Sequence, residues 1–239
     1  MKLSKLSKLS KLSKLLDLDN LISDAINSSC KNLELELQKQ ALESTAKLIQ
    51  QEFIKSERVA TRNQVIDIGL SHAKNNSGTY FEFGVFKGDS LNYIASKIDE
   101  NIYGFDSFDG LPEDWRPGFS AGAFKVQRFV SSSRNTIIIE GVFNESIPKF
   151  LAENRVSKAA FIHIDCDLYS STKTVLSGLR EIIGHGSILV FDEFFNYPGW
   201  ESGEYKALQD FLDATNLKCE YLAFNKFGEQ CVVKIIDNE

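Results

Sequence analysis

The stretch FIHIDCDLYSST, Phe161 to Thr172, sets two carboxylates, Asp165 and Asp167, one residue apart just past an apolar run. An aspartate in that place either caps the helix that follows or belongs to a site that needs negative charge. The pattern recurs, because other apolar runs end beside Glu82, Asp106 and the pair Asp192 and Glu193. Such carboxylates can hold a hard cation through oxygen, accept hydrogen bonds from the hydroxyls of a ribose, or take a proton as a general base.

What must position them is an alternation of strands and helices. The runs TYFEFGV, IYGFD, TIIIEG, AFIHID and SILVFDE have strand character and are separated by segments long enough for helices, the mark of a parallel α/β sheet. CEYLAF and QCVVKII, with only NKFGE between them, read as a β-hairpin at one edge. The expectation is a doubly wound, mostly parallel sheet of seven strands, Rossmann-like, spanning residues 78–239 and preceded by helices over residues 16–77. Those helices would serve as a lid, as a dimer surface or as a cover for the core. In this architecture ligands bind beyond the carboxyl ends of the strands, and every acid named above falls at that edge.

Bulk properties agree with one globular domain: 239 residues, 43% hydrophobic and 25% charged. Net charge is −6, which argues against nucleic acid as the main partner. Cys30, Cys166, Cys219 and Cys231 form no C-x-x-C pair or zinc spacing, and no signal peptide precedes them, so reduced thiols in a cytoplasm are expected. No apolar run approaches the roughly 18 residues of a membrane span. The opening MKLSKLSKLSKLSKLL holds five lysines and no acid, so the remainder carries −11. Its period of three drifts by about 60° per repeat round a helix and gives no apolar stripe. Residues 1–15 therefore read as a low-complexity tail rather than a segment lying on an anionic membrane or against a partner helix.

After the first of these strands comes FEFGVFKGDS, a Gly-x-x-x-Gly turn leading into a helix near Ser90. Gly84 and Gly88 let a ligand lie against backbone, and the helix start offers free N–H groups. The turn lacks the close glycine pair of G-x-G-x-x-G and the Lys-Ser/Thr ending of a phosphate loop. With Asp106 about 20 residues on, it suggests a nucleoside-bearing cofactor without requiring a pyrophosphate.

Together FEFGVFKGDSL, YGFDSFDGLPEDWRPGFSAGAF, HIDCDLYSST and FDEFFNYPGWESGEYKAL resemble the macrocin O-methyltransferase family of metal-dependent class I methyltransferases, from about Val59 to the end. The resemblance implies transfer of a methyl group from S-adenosylmethionine to a small-molecule hydroxyl, probed first as a sugar hydroxyl of a glycoside. It also implies roles. Glu82 and Gly84 would lie beside the methionine part of the cofactor, Asp106 would bind its ribose, and Ser107 and Phe108 would flank the adenosine. Asp165, Asp192 and Glu193 would hold Mg²⁺ or Mn²⁺, and Asp167 would be the general base. Where the family has two adjacent aspartates, this chain has Asp192-Glu193.

Blander readings stand beside these. His163 reads as a satisfied core histidine and His185 as a turn residue; Trp115 and Arg116 fall in a long loop that would either close as a lid or pack inertly. Tyr197 and Trp200 would either stack on a sugar or pack in a loop, and Glu204 would either orient the site or start a helix. Asp-x-Asp after a strand is also how metal-dependent glycosyltransferases hold a nucleotide sugar, and a nucleoside-binding module without catalysis would keep the same cofactor loop.

Overall fold

The computed structural model describes residues 17, 18, 20–23, 25, 31–127 and 133–238; the readings of the 1–15 tail and of Cys30 lie outside these. Eight strands make one sheet: β1 (Glu57–Val59), β2 (Thr79–Phe83), β3 (Ile102–Asp106), β4 (Thr136–Glu140), β5 (Ala159–Ile164), β6 (Ile188–Phe191), β7 (Leu217–Asn225) and β8 (Cys231–Asp237). Their spatial order is β1-β7-β8-β6-β5-β2-β3-β4, and β8 alone runs antiparallel to its neighbours. Among the described residues, the helices that accompany them are α1 (Leu33–Glu52), α2 (Arg62–Ala73), α3 (Asp89–Ala95), α4 (Phe143–Glu153), α5 (Tyr169–Gly178) and α6 (Glu204–Thr215), with helical residues also between 17 and 25.

The sheet is the expected one with a strand added. The hairpin β7–β8 enters with β8 against β6, and β1 pairs in parallel with β7, Glu57 opposite Ala223. Three residues, two of them charged, give no period to read, so the sequence of β1 looks like a break between helices. Backbone pairing holds it, aided by the Ser56 hydroxyl donating to the Tyr221 carbonyl at 2.6 Å. Because β1 is parallel to β7, it delivers the chain to the carboxyl edge of the sheet just before α2.

Alternation along the strands sorts the two faces. Phe81, Phe83, Phe105, Ile162, Ile164 and Leu189 pack with α1, α4, α5 and α6, while Tyr80, Phe161, Ile188 and Val190 pack with α2 and α3. β5 and β6 are buried along their whole length, as unbroken apolar runs in a covered parallel sheet should be. Stacked rings fill the first layer: Phe83 and Phe105 have centroids 4.8 Å apart, with Phe150 of α4 edge-on to Phe105 at 5.4 Å. At roughly 2 kcal/mol for each fully buried phenylalanine, this layer offsets the cost of burying charge at the strand ends.

Two charged groups sit inside the second face. Glu82 of β2 lies opposite His163 of β5, both with no solvent exposure, and His163 Nδ1 is 3.0 Å from Glu82 Oε1. His163 is thus the core histidine expected, satisfied at Nδ1 by Glu82. His185 is exposed in a turn and pairs with Asp237 at 3.2 Å.

Candidate active site

The winding of the sheet reverses between β2 and β5, which is where a ligand crevice is expected. A cavity of about 600 Å³ opens there, within the usual range for small-molecule sites. Gly84, Asp106, Ser107, Asp165, Asp167, Asp192 and Glu193 line it. Of the remaining expected site residues, Glu82, Gly88, Ser90 and Phe108 do not.

The loop after β2 is shaped by what lies behind it. Gly84 has φ 93°, and a side chain on it would overlap the carbonyl of Asp165, so β2 and β5 close together only around a glycine. Gly88, φ 78°, turns the chain into α3, and the Ser90 hydroxyl donates to Glu82 Oε1 at 2.5 Å. Ser90 and Glu82 therefore brace the loop from beneath. Asp106 holds it from the side: Oδ2 accepts from the N–H groups of Val85 and Phe86 at 2.8 and 2.7 Å, and Oδ1 accepts from Phe108 N–H at 2.7 Å. A carboxylate has about four acceptor directions, so Oδ1 keeps room for one ligand hydroxyl.

Opposite that loop stand the acids that follow β5 and β6. Asp165 starts no helix; α5 begins at Tyr169 and has no side-chain cap, which removes the capping explanation. Ligand oxygens of Asp165, Asp167 and Glu193 lie within 4.8 Å of one another, and Glu193 Oε2 is buried without a hydrogen-bond partner. Asp192 goes elsewhere. Arg62, the first residue of α2, donates from Nη2 to Asp165 Oδ2 and from Nε to Asp192 Oδ1 at 2.5 Å. Asp192 is also 3.9 Å from His163 Nε2. Glu204 both begins α6 and accepts from Glu193 N–H at 3.1 Å, so it orients this edge from below.

Arg62 escaped the sequence reading because residues 16–73 read as helices with no strand between them. A signal was present: Thr61 Oγ1 accepts from Gln64 N–H at 3.3 Å and the Gln64 side chain accepts from Ala60 N–H at 3.0 Å, a close relative of the capping box. That pair in VATRNQ marks a helix start with an arginine at its first position.

Backbone strain gathers at the same edge. Asp167 (φ 63°), Phe86 (φ 47°), Phe108 (φ 58°) and Phe124 (φ 65°) all adopt left-handed conformations costly for L-residues. At Asp167 the turn aims a carboxylate into the cavity. Trp115 and Arg116 do not line the cavity; Arg116 is stacked 4.0 Å from the Trp115 ring and bonded to Glu229 at 3.0 Å. Trp200 is buried and donates to Ser44 of α1 at 2.9 Å, and Tyr197 is buried too, so packing is their role. Phe86, Phe124 and Phe143 are the aromatic residues lining the cavity, the rings of Phe86 and Phe124 edge to face at 5.7 Å.

Six acids, Glu82, Asp165, Asp167, Asp192, Glu193 and Glu204, thus share this region with Arg62, Arg116 and His163. Burial pushes Asp165 up to about 7, and the charge of Asp192 adds to that against the pull of Arg62. Burial likewise lifts Asp167 to about 7, with Arg116 opposing and Asp192 and Glu229 adding. Burial and the charges of Asp192 and Asp165 hold Glu193 well above the carboxylate range. Burial lowers His163, but Asp192 and Glu82 outweigh it and bring it to about 9. Burial would raise Asp192, yet His163 and Arg62 prevail and hold it low. Of the three carboxylates only Asp165 is bonded to a cationic side chain, Arg62, and the hard oxygens of the group fit a divalent cation such as Mg²⁺.

The sign of a pH effect follows. Asp165 and Asp167 bind protons more tightly folded than unfolded, so their contribution to stability is complete below about 4 and lost as pH rises through 7. His163 contributes below 6.5 and loses it through about 9. Asp192 acts in the opposite sense, but only below its ordinary 3.8. In EDTA the melting temperature should fall from about pH 5 to pH 9, and less steeply with Mg²⁺ present. Thermal shift across that range checks it, and a rise toward pH 9 in EDTA would contradict it.

Residues 81–194 match the family model described as a methyltransferase domain. No curated protein matches the sequence. Among solved structures, the chain is similar to CalS11, a calicheamicin methyltransferase, at 23% identity and a TM-score of 0.60, covering 85% of this chain and 93% of that one. It is also similar to the O-methyltransferase NovP, at 17% identity and a TM-score of 0.54, covering 72% and 76%. An apo structure of CalS11, described as a TDP-rhamnose 3′-O-methyltransferase of calicheamicin biosynthesis, gives 23% identity and 0.52, covering 85% and 95%. At these identities the likeness is one of fold. The chain therefore has the class I methyltransferase fold, with residues 81–194 similar to the methyltransferase domain model.

Proposed function

We propose that this chain is an S-adenosylmethionine-dependent O-methyltransferase acting on a hydroxyl of a small sugar-bearing acceptor, assisted by a divalent cation. One observation carries the reading: a single cavity joins the Gly84 and Asp106 loop of a methyltransferase domain to the Asp167 carboxylate. CalS11 and NovP, whose fold this chain shares, support an oxygen acceptor, and CalS11 a sugar.

In this reading Gly84 lets the cofactor approach backbone, Asp106 takes one ribose hydroxyl on Oδ1, and Ser107 lies beside the nucleoside. Glu82 acts through Ser90 on the loop rather than by touching the cofactor. Asp165 and Glu193 would hold the cation, with Asp192 behind them, and the cation would supply charge that makes an alcohol proton easier to remove. Asp167 accepts that proton as the acceptor oxygen forms its bond to the methyl carbon. The carbon–sulfur bond breaks, and its electron pair stays on sulfur, giving S-adenosylhomocysteine. A base near 7 is well matched to work at neutral pH.

Calorimetric titration with S-adenosylmethionine, and with nucleotide sugars, in Mg²⁺ and in EDTA, tests the proposal. Asp106→Asn should weaken cofactor binding about tenfold or more, the scale of stranding a hydroxyl in a closed site. Unchanged affinity would remove the ribose role. A nucleotide sugar that binds where S-adenosylmethionine does not would point to sugar transfer instead.

A further inference from the structure

Arg62 reaches the strand ends because β1 stops at Val59 on the same edge as β5 and β6, and α2 starts three residues later. One planar guanidinium then spans two carboxylates that follow neighbouring strands, Asp165 through Nη2 and Asp192 through Nε. A fork of fixed N–H directions suits such bridging, whereas a lysine ammonium could serve only one partner well. On its other side Asp165 belongs to the group with Asp167 and Glu193, where the buried Glu193 Oε2 has no hydrogen-bond partner.

Asp165 is therefore shared between two positions for positive charge, the guanidinium on the α2 side and the three-carboxylate group on the cavity side. We infer that Arg62 is a built-in counter-ion that competes with a divalent cation for Asp165, so that loading the cation requires the Arg62–Asp165 bond to loosen. The guanidinium and the cation repel each other across one carboxylate, and neither can be fully neutralised while both hold it. Asp192, paired with Arg62 Nε and close to His163, gives the displaced arginine a place to remain. The device keeps the acids balanced before the cation arrives. This rests on the cation part of the proposed function.

The test is Mn²⁺ binding to the full chain without acceptor, read by the loss of the free-ion paramagnetic resonance signal and by calorimetry. Arg62→Gln should bind Mn²⁺ at least tenfold more tightly than the wild type, and its melting temperature should gain more from Mn²⁺. Arg62→Lys should fall between them. Equal or weaker affinity in Arg62→Gln, or no saturable Mn²⁺ binding in either protein, would overturn the inference. If Arg62→Gln does not fold, Arg62→Lys decides alone: tighter binding supports the competition, unchanged or weaker binding refutes it. Cofactor binding to the wild type in EDTA is measured alongside, so that failure of the methyltransferase reading shows separately from failure of the competition.

Discussion

Asp167→Asn is expected to slow methyl transfer about a hundredfold or more at every Mg²⁺ concentration, within the range of general-base catalysis. The substitution keeps the shape of a side chain that the left-handed backbone at φ 63° aims into the cavity, and removes its charge and with it the ability to take a proton. Asp165→Asn should behave differently. It weakens a cation ligand and the Arg62 bridge together, so activity should partly return as Mg²⁺ rises. The measurement is turnover against Mg²⁺ for both variants with a proven acceptor. Because Asp167 shares the three-carboxylate group, rescue of Asp167→Asn but not of Asp165→Asn would exchange their roles.

Gly84→Ala should be severely damaging for the addition of one methyl group. The residue sits at φ 93°, and the added carbon would overlap the Asp165 carbonyl, so β2 and β5 would have to part at the point where the site is built. Strain and overpacking together should cost about 4 kcal/mol, roughly 8 to 16 °C in melting temperature for a chain of this size. Cofactor binding should be lost with it. A melting temperature within about 2 °C of wild type would show that the loop relaxes freely.

Much of this was readable from residue order. The apolar runs ending at Glu82, Asp106, Asp165 and Asp192 located β2, β3, β5 and β6, since a covered parallel sheet demands such runs. That periodicity also placed the acids on one edge. It could not say which acids meet. Glu82, two residues before Gly84, alternates onto the α2 and α3 face and is sealed beneath the loop, where it meets Ser90 and, across the sheet, His163. β1 was invisible because three residues paired at a sheet edge leave no period, and Arg62 went unseen with it. Asp192 lines the cavity as expected of a site residue, but its bond to Arg62, 130 residues away along the chain, could not be read from the sequence. Pairings at such separation depend on topology, which local patterns do not encode. The sugar-stacking role considered for Trp200 failed similarly, because Ser44 of α1 claims its indole N–H.

The central claim is that the crevice between β2 and β5 holds S-adenosylmethionine with its sulfur toward Asp167. The measurement that bears on it most directly is a crystal structure with S-adenosylhomocysteine bound. The account predicts the nucleoside against Asp106 and Ser107, one ribose hydroxyl on Asp106 Oδ1, and the sulfur on the side of the cavity that Asp167 faces. A ligand bound outside this cavity, or one whose sulfur points away from Asp167, would contradict it.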